Sequence, residues 1–465
     1  LTLEAELKKW FAEVESKDWD VDSDYWNSFK QKLSSRIRHF SDPVMILYRL
    51  TPLMEAILSD GFGRILRYHH VASRLIRMCA ASTWVPEYLR DDIALLTHSV
   101  TTDTFDFPTL ATRRVNLGKA LDLAETFDEK TAALHHYREK AMMRIAIADT
   151  LHKLPVMRVS DLLTDVAIAI VDHVQNIVWR WMVTEYGRPE RDDGSACELD
   201  FIVLAYGKLG GIELGYVSDL DLVFLHGANE QAMTSGGKTS ITGAQFYQRL
   251  TQKMIQLLSE QTAFGRLYYV DTRLRPMGRS SNIVTSFSAF KRYQEEDAWT
   301  WEHQALVRAR VISGDDRLSS DFKQLRESIL GRARDEAKLK QDIIEMREKM
   351  RVEHTHHEDE FNLKRDPGGI TDIEFLAQYV VLAWSYRQPE LLIYTDNIRI
   401  LETAETAGLL SRGMVDGLCE AYRRLRNKRH HLALRAQPGR VSKGYFLTYR
   451  QLVTAAWLAL LGAGV

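Results

Sequence analysis

The chain has 465 residues, 45% hydrophobic and 27% charged, which is apolar enough for real cores and long enough for two or three domains. Lysine plus arginine number 61 against 63 aspartate plus glutamate, a formal net charge of −2. That balance gives no support for wholesale nucleic-acid binding and leaves only a local basic groove open.

Cys79, Cys197 and Cys419 are widely spaced and odd in number, which points to a reducing cytoplasm rather than a disulfide framework. The chain opens on Leu1 rather than Met and without a signal peptide, as an excised piece of something longer would. Its longest apolar tail, residues 452–465, is too short and too punctuated to span a bilayer, so no membrane is expected.

Residues 1–195 read almost wholly as helix. Ile46, Leu47, Leu50, Leu53, Met54, Ile57 and Leu58 recur at spacings of three and four, as a buried helical face requires. Pro52 interrupts them, and Thr51 as N-cap predicts a helix that restarts there. Similar faces run through residues 72–80, with Leu75, Ile76 and Cys79, and through 162–183. Residues 103–110, with Pro108 and no period, read as a loop; a helix resumes over 144–154, where Pro155 stops it. Nothing in this half clusters into a reaction centre, and a helical scaffold or protein-interaction surface is expected.

A polar linker at 186–199, YGRPERDDGSACEL, leads into FIVLAYGKLGGIELGYVSDLDLVFLH at 201–226. Two apolar strands joined by a glycine-rich turn and a short helix are predicted, with breaks at Gly207, Gly210, Gly211 and Gly215. Strand alternation turns Asp219 and Asp221 to one face and Leu220 and Leu222 to the other. At about 4 Å, two carboxylates repel by roughly 4 kcal/mol at an effective dielectric near 20, so a hard divalent cation such as Mg²⁺ is expected between them. Gly210 and Gly211 are expected to leave backbone N–H groups open to a phosphate. A Gly/Ser/Thr-rich loop at 227–243 precedes an amphipathic helix at 245–261 with Leu250, Met254, Leu257 and Leu258 on one face. LYYVDTRL at 267–274 predicts another strand, with Tyr269, Asp271 and Arg273 on one face. Asp219, Asp221 and Asp271 together are what a two-metal phosphoryl or nucleotidyl transfer site needs. The alternative is that these aspartates cap strands or pair with Arg273 and Arg275, two arginines that otherwise suit a triphosphate clamp.

The Gly-Gly, short helix, Ser-Asp-x-Asp pattern resembles the nucleotidyltransferase superfamily that includes polymerase β-like enzymes. The longer strings YGKLGGIELGYVSDLDLVFLH, VDTRLRP (270–276), AWTWEHQALVRARV (298–311), GGITDIEFLAQYVV (368–381) and MRIAIADTLHKLPVMRVSDLLT (143–164) resemble the glutamine synthetase adenylyltransferases. That family pairs two similar catalytic halves around a regulatory helical region, one half attaching AMP to a tyrosine of glutamine synthetase and the other removing it by phosphorolysis. WEHQALVRAR and the ELGY ahead of SDLDLVFLH resemble the C-terminal, adenylylating half. Val217 and residues 364–367 depart from that pattern without touching a carboxylate.

The resemblance implies a mostly α chain with an α/β nucleotidyltransferase (polymerase β-like) core: a helical regulatory region at 1–125, a helical lead-in at 126–196, the small mixed-sheet core at 197–315 and a C-terminal helical bundle at 316–465. It implies a cytoplasmic enzyme that uses ATP and Mg²⁺, modifies glutamine synthetase and answers to a PII-type nitrogen-signalling protein, with no nucleic-acid partner. Asp219, Asp221 and Asp271 would hold two ions, with Asp271 assisting deprotonation. Gly210, Gly211, Ser218, Lys208, Arg273 and Arg275 would bind the triphosphate, and Asp372 and Glu374, near the start of a helix at 371–384 with Thr371 or Asp372 as N-cap, would contact substrate. The phosphorolytic half and a non-catalytic nucleotide- or PII-sensing module are the competing readings.

Trp299, Trp301, Glu302 and His303 read as a packing and positioning element, with Arg308 and Arg310 either in the core or facing the nucleotide. His354, His356 and His357 in EHTHHE lack the i, i+4 spacing of a zinc helix, so zinc is not expected. The basic run YRRLRNKRHHLALR at 422–435 predicts Leu425, Leu432 and Leu434 inward and the arginines outward, on a solvated face or against an acidic partner.

Overall fold

Apolar residues at helical spacing become helices through most of the chain. The computed structural model describes residues 2–17, 19, 21–59, 61–352 and 359–462; the histidine-rich run at 353–358 lies outside the described residues. Two units emerge: Leu1–Phe107 with Lys140–Val159 and Asn427–Pro438, and Pro108–Glu139 with Ser160–Arg426 and Gly439–Val465.

The first unit is built from the helices Leu3–Glu15, Ser23–Ile37, Pro43–Ser59, Val71–Ala81, Trp84–Asp91 and Ile93–Thr101. Thr2, Asp22 and Asp92 cap three of them by accepting backbone N–H bonds. Leu33, Ile37, Leu50, Leu53, Met54, Ile57, Leu75, Ile76 and Cys79 are buried among them.

Two boundaries differ from expectation. Pro43–Ser59 runs as one helix through Pro52. Its seven buried apolar side chains, from Ile46 to Leu58, are worth roughly 1.5–3 kcal/mol each, which outweighs the roughly 3 kcal/mol of an interior proline. Thr51 does not cap; its hydroxyl donates to the Leu47 carbonyl at 3.0 Å. Pro155 does not stop a helix either: the preceding helix ends at Thr150, and Pro155 stands just ahead of the helix Val156–Tyr186. That second helix is long and apolar enough to cross a membrane, but 67% of its most apolar window is buried inside the protein.

The second unit carries a mixed sheet. Strands β1 (Phe201–Ala205), β2 (Leu220–His226), β3 (Val270–Asp271), β4 (Val284–Ser286) and β5 (Arg310–Gly314) give the order β3-β2-β1-β5, with β4 also on β2. β1 pairs antiparallel with β2 and β5, while β3 and β4 run parallel to β2. β1 is buried at every position, the mark of a strand covered on both faces. The helix Gly243–Ser259, opened by a Thr242–Gln245 capping box, buries Leu250, Met254, Leu257 and Leu258 as expected. The remaining residues form helices and a two-stranded ribbon, β6 (Glu360–Asn362) with β7 (Arg440–Ser442). The described residues are therefore mostly helical around a small mixed sheet, the fold class the sequence predicts.

The strand expected over 267–274 shrinks to the two residues of β3. The chain turns at once because the Arg273 N–H donates to the Asp271 carboxylate at 2.9 Å, a side-chain turn that competes with the ladder.

Candidate active site

The sheet register assembles the acidic cluster. β2 and β3 pair in parallel with Asp221 opposite Asp271, so the two side chains leave the same face, and Asp219, two residues before Asp221, shares it. The structure brings all three together: carboxylate oxygens of Asp219, Asp221 and Asp271 lie within 4.8 Å of one another, Asp219 exposed and the other two half-buried. Gly207 closes one side. Its φ is +53°, and a Cβ there would stand 2.2 Å from Asp221 Oδ2, so both backbone and space demand glycine. Gly207→Ala is expected to displace the Asp221 carboxylate and to weaken Mn²⁺ binding at least tenfold in a calorimetric titration, with the far-ultraviolet circular dichroism unchanged.

Electrostatics follow from that crowding. Burial first, then the charges of Asp219 and Asp271, push the Asp221 carboxyl up to about 6, with Lys208 and Lys364 pulling the other way. Arg273 meets Asp271 with Nε at 3.0 and 2.8 Å from its two oxygens. The Ser218 hydroxyl accepts from the Gly215 N–H at 3.0 Å, with Lys208 Nζ at 3.5 Å. Three clustered carboxylates, that of Asp221 raised by burial and then by its neighbours' charge, form a set that a hard divalent cation satisfies.

The family model described as glutamate-ammonia ligase adenylyltransferase matches residues 72–325, more than half of the chain and all three aspartates. The chain belongs to this family. A second family model, GlnD PII-uridylyltransferase, matches residues 337–439. The chain is 41% identical over 455 residues to the bifunctional glutamine synthetase adenylyltransferase/adenylyl-removing enzyme of Pseudomonas aeruginosa, covering 93% of this chain and 46% of that protein. Proteins of the same name from Pseudomonas putida (39% over 451 residues, 93% and 46% covered) and Hahella chejuensis (41% over 420 residues, 88% and 44%) are similar. The chain thus spans about half the length of the curated relatives it matches.

For this glutamate-ammonia ligase adenylyltransferase family member, several residues expected at the site turn out to build its walls. The N–H groups of Gly210 and Gly211 are not open to phosphate: they donate to the carbonyls of Tyr206 at 2.9 Å and Gly207 at 3.1 Å. Glycine is needed there for close approach, since a Cβ on Gly210 would stand 1.9 Å from the Arg308 carbonyl oxygen and one on Gly211 2.4 Å from the Arg308 guanidinium. Arg308 and Arg310 do not reach for nucleotide. Arg308 is buried between Glu213 and Glu374, 2.8 Å from the latter, and Arg310 donates to the carbonyls of Gly210 and Leu209 at 3.0 and 3.1 Å.

Asp372 is fully buried, paired with Arg347 and accepting the Gly368 N–H at 2.7 Å, so it anchors the loop before the helix Ile370–Trp384 rather than touching substrate. The N-cap position of that helix is Gly369, two residues ahead of Thr371 and three ahead of Asp372, and no side chain caps it. Burial works to raise the Glu374 carboxyl, but Arg308, with Lys364 and Lys208 beyond it, holds it below its ordinary value. Its ion pair with Arg308 makes it a wall residue too. Arg275 is not a clamp: its guanidinium holds Thr272 O at 2.8 Å and Ser281 O at 3.3 Å, pinning the loop after β3. Trp299, expected in the core, is 70% exposed at the N-cap of the helix Thr300–Val307. Glu302 accepts the Trp299 N–H and the Tyr293 hydroxyl, both at 3.0 Å, and His303 Nε2 lies 3.1 Å from the Gln294 carbonyl, as a positioning element should. In the basic run, Leu425, Leu432 and Leu434 are buried as expected, but so is Arg426.

Two residues were missed. Glu213 is 0% exposed and receives Arg308, the Tyr422 hydroxyl at 2.5 Å, the Asn397 side-chain amide at 3.0 Å and Arg426 at 3.4 Å, while Arg426 also donates to the Glu213 carbonyl at 2.7 Å. Its one signal in the sequence is an acid placed between a double glycine and an apolar strand with no turn or cap to make. Lys364, from the loop before Ile370–Trp384, acts on both Asp221 and Glu374. It lies 143 positions beyond Asp221, and no local pattern links them.

Proposed function

We propose that this chain transfers AMP from ATP to a tyrosine hydroxyl of glutamine synthetase, releasing pyrophosphate. The observation that carries the reading is the convergence of Asp219, Asp221 and Asp271 within 4.8 Å on one sheet face, in a chain of a family whose relatives are named for this activity. Asp219, Asp221 and Asp271 would hold two Mg²⁺ ions, which when bound supply neutralisation of the triphosphate charge and activation of the α-phosphorus. Lys208, backed by Ser218, and Lys364, 156 positions further along the chain, present cations to the phosphates. Asp271 takes the proton of the incoming tyrosine hydroxyl as that oxygen attacks in line with the departing pyrophosphate, and Arg273, which pairs with Asp271, would follow the phosphate charge. Lys364→Ala is expected to raise KM for ATP about tenfold, roughly 1.4 kcal/mol, with kcat less affected, in steady-state transfer assays.

Phosphorolytic removal of AMP is the second reading, favoured by the double activity in the relatives' names and by the chain spanning about half of them. Two incubations separate these. Unmodified glutamine synthetase with α-labelled ATP gains tyrosine-bound label on the first reading, whereas adenylylated glutamine synthetase with orthophosphate yields ADP on the second. Absence of both products would return the chain to a nucleotide- or PII-sensing module. The proposal extends to a cytoplasmic setting and to a PII-type protein acting through the helices of residues 1–125; the match of residues 337–439 to a PII-uridylyltransferase family supports kinship with that signalling system.

A further inference from the structure

Behind the glycine turn lies a cleft of about 540 Å³ between β5, the helix Asp316–Leu330 and the segment 392–399, room for a small organic molecule. Its floor is apolar, with Phe322, Leu392 and Ile212, and Ile393 stands 66% exposed at its rim. Its charged lining is one-sided: Arg310, Lys323, Arg326 and Arg399 against Glu327. Arg399 is matched by Asp396. Among the described residues, neither Arg310 nor Arg326 is matched by an ion pair. Arg310 donates to the carbonyls of Gly210 and Leu209, and buried Arg326 to those of Leu306 at 3.2 Å, Leu392 at 2.8 Å and Val307 at 2.6 Å. Burial pushes both guanidiniums down to about 10, with Asp165 acting on Arg310 and Glu327 on Arg326 as the offsetting charges. Half-buried Arg310 and buried Arg326, both bonded to neutral carbonyls, leave positive charge to be answered from the cleft.

The same cleft reaches the turn that carries the reaction site. Gly210 O accepts from Arg310 and, at 2.8 Å, from the Thr395 hydroxyl; both residues line the cleft. Ile212 is a β-branched residue at φ +57°, a conformation held only by its surroundings. We propose that this cleft is a second binding site for a small amphipathic anion, a single carboxylate or phosphate head on a compact apolar body, and that its occupancy stiffens the Gly207–Glu213 turn. The head group pairs with Arg310, which uses two of its five N–H donors on the turn, and the body packs on Ile212 and Phe322.

The test is calorimetric titration of the full chain with 3-phenylpropionate and with phenyl phosphate, against neutral 3-phenylpropanol. Either anion is expected to bind at least tenfold tighter than the alcohol, and the tighter one identifies the head group. Lys323→Glu and Ile393→Glu, two exposed positions outside the reaction centre, are each expected to weaken binding at least tenfold, while Asp219→Asn leaves it unchanged. Hydrogen exchange of the 207–213 amides is expected to slow with the anion bound. Equal binding of the alcohol, no binding, or full binding in both glutamate variants overturns the site; binding without slowed exchange overturns its link to the turn. Because Asp219→Asn binds the probe whether or not it transfers AMP, failure of the cleft and failure of the proposed reaction are read separately.

Discussion

Asp221→Asn is expected to stabilise the metal-free chain at neutral pH and, on the proposed reaction, to reduce AMP transfer to background. The Asp221 carboxyl sits at about 6 in the folded protein, against about 3.9 in an unfolded chain. Between those values the unfolded state has already released its proton while the folded state keeps it, so stability falls as pH rises from about 4 through about 6 and stays lower above. Two units correspond to about 3 kcal/mol, an order-of-magnitude ceiling that Asn removes by never ionising. Thermal unfolding in a chelator should therefore show the variant with the higher midpoint at pH 7.5 and no gap at pH 4. Millimolar Mg²⁺ should close the gap at pH 7.5, because only the wild type regains the stability that cation binding supplies. A variant no more stable than wild type at pH 7.5 would mean that burial and the neighbouring carboxylates do not hold the Asp221 carboxyl up.

Glu213→Ala is expected to cost roughly 3–5 kcal/mol, the larger effect of the two on folding. The substitution removes the carboxylate that buried Arg308 and Arg426 share beneath the glycine turn, and Glu374 still answers Arg308. The cost lies in the stranded charges more than in the pair itself, so Arg308→Met placed on Glu213→Gln should be milder than the sum of the two single changes. Urea unfolding of the four proteins in that cycle gives the coupling; additive losses would show that Glu213 and Arg308 do not act on each other. Activity should follow stability here only in part, since Gly210 and Gly211 pack directly on Arg308 and any shift of its backbone moves the turn that carries Lys208.

How far the sequence could be read depends on the range of the interaction involved. The helical faces at Ile46–Leu58 and along Gly243–Ser259 were legible because their period is written within a few turns, and so were the apolar strands on either side of the glycine turn. Pro52 reads as a break in sequence because its local penalty says nothing of the buried face that spans it. The three aspartates are legible as a group because Asp219 and Asp221 stand two apart at the start of one apolar run, Asp219 just ahead of β2, and Asp271 lies in a second apolar run that is only two residues of strand. The double glycine was misassigned because a glycine required for close approach and a glycine required for an open N–H look the same in one dimension. Only the Arg308 carbonyl, 1.9 Å from the missing Cβ, separates them. Asp372, Arg275 and Arg310 have residue types suited to phosphate or metal chemistry, but Asp372 and Arg310 find partners, Arg347 and Gly210, that tertiary packing chooses, and Arg275 turns back on the carbonyls of its own loop at Thr272 and Ser281. Lys364 and Glu213 were invisible as site residues for the same reason.

The most direct test is the anomalous scattering of Mn²⁺ in crystals of the chain grown with a non-hydrolysable ATP analogue. The account predicts manganese peaks bridging Asp219, Asp221 and Asp271, triphosphate oxygens facing Lys208 and Lys364, and Arg273 drawn off Asp271. Manganese bound elsewhere, or an Asp271–Arg273 pair unchanged with nucleotide present, would contradict it.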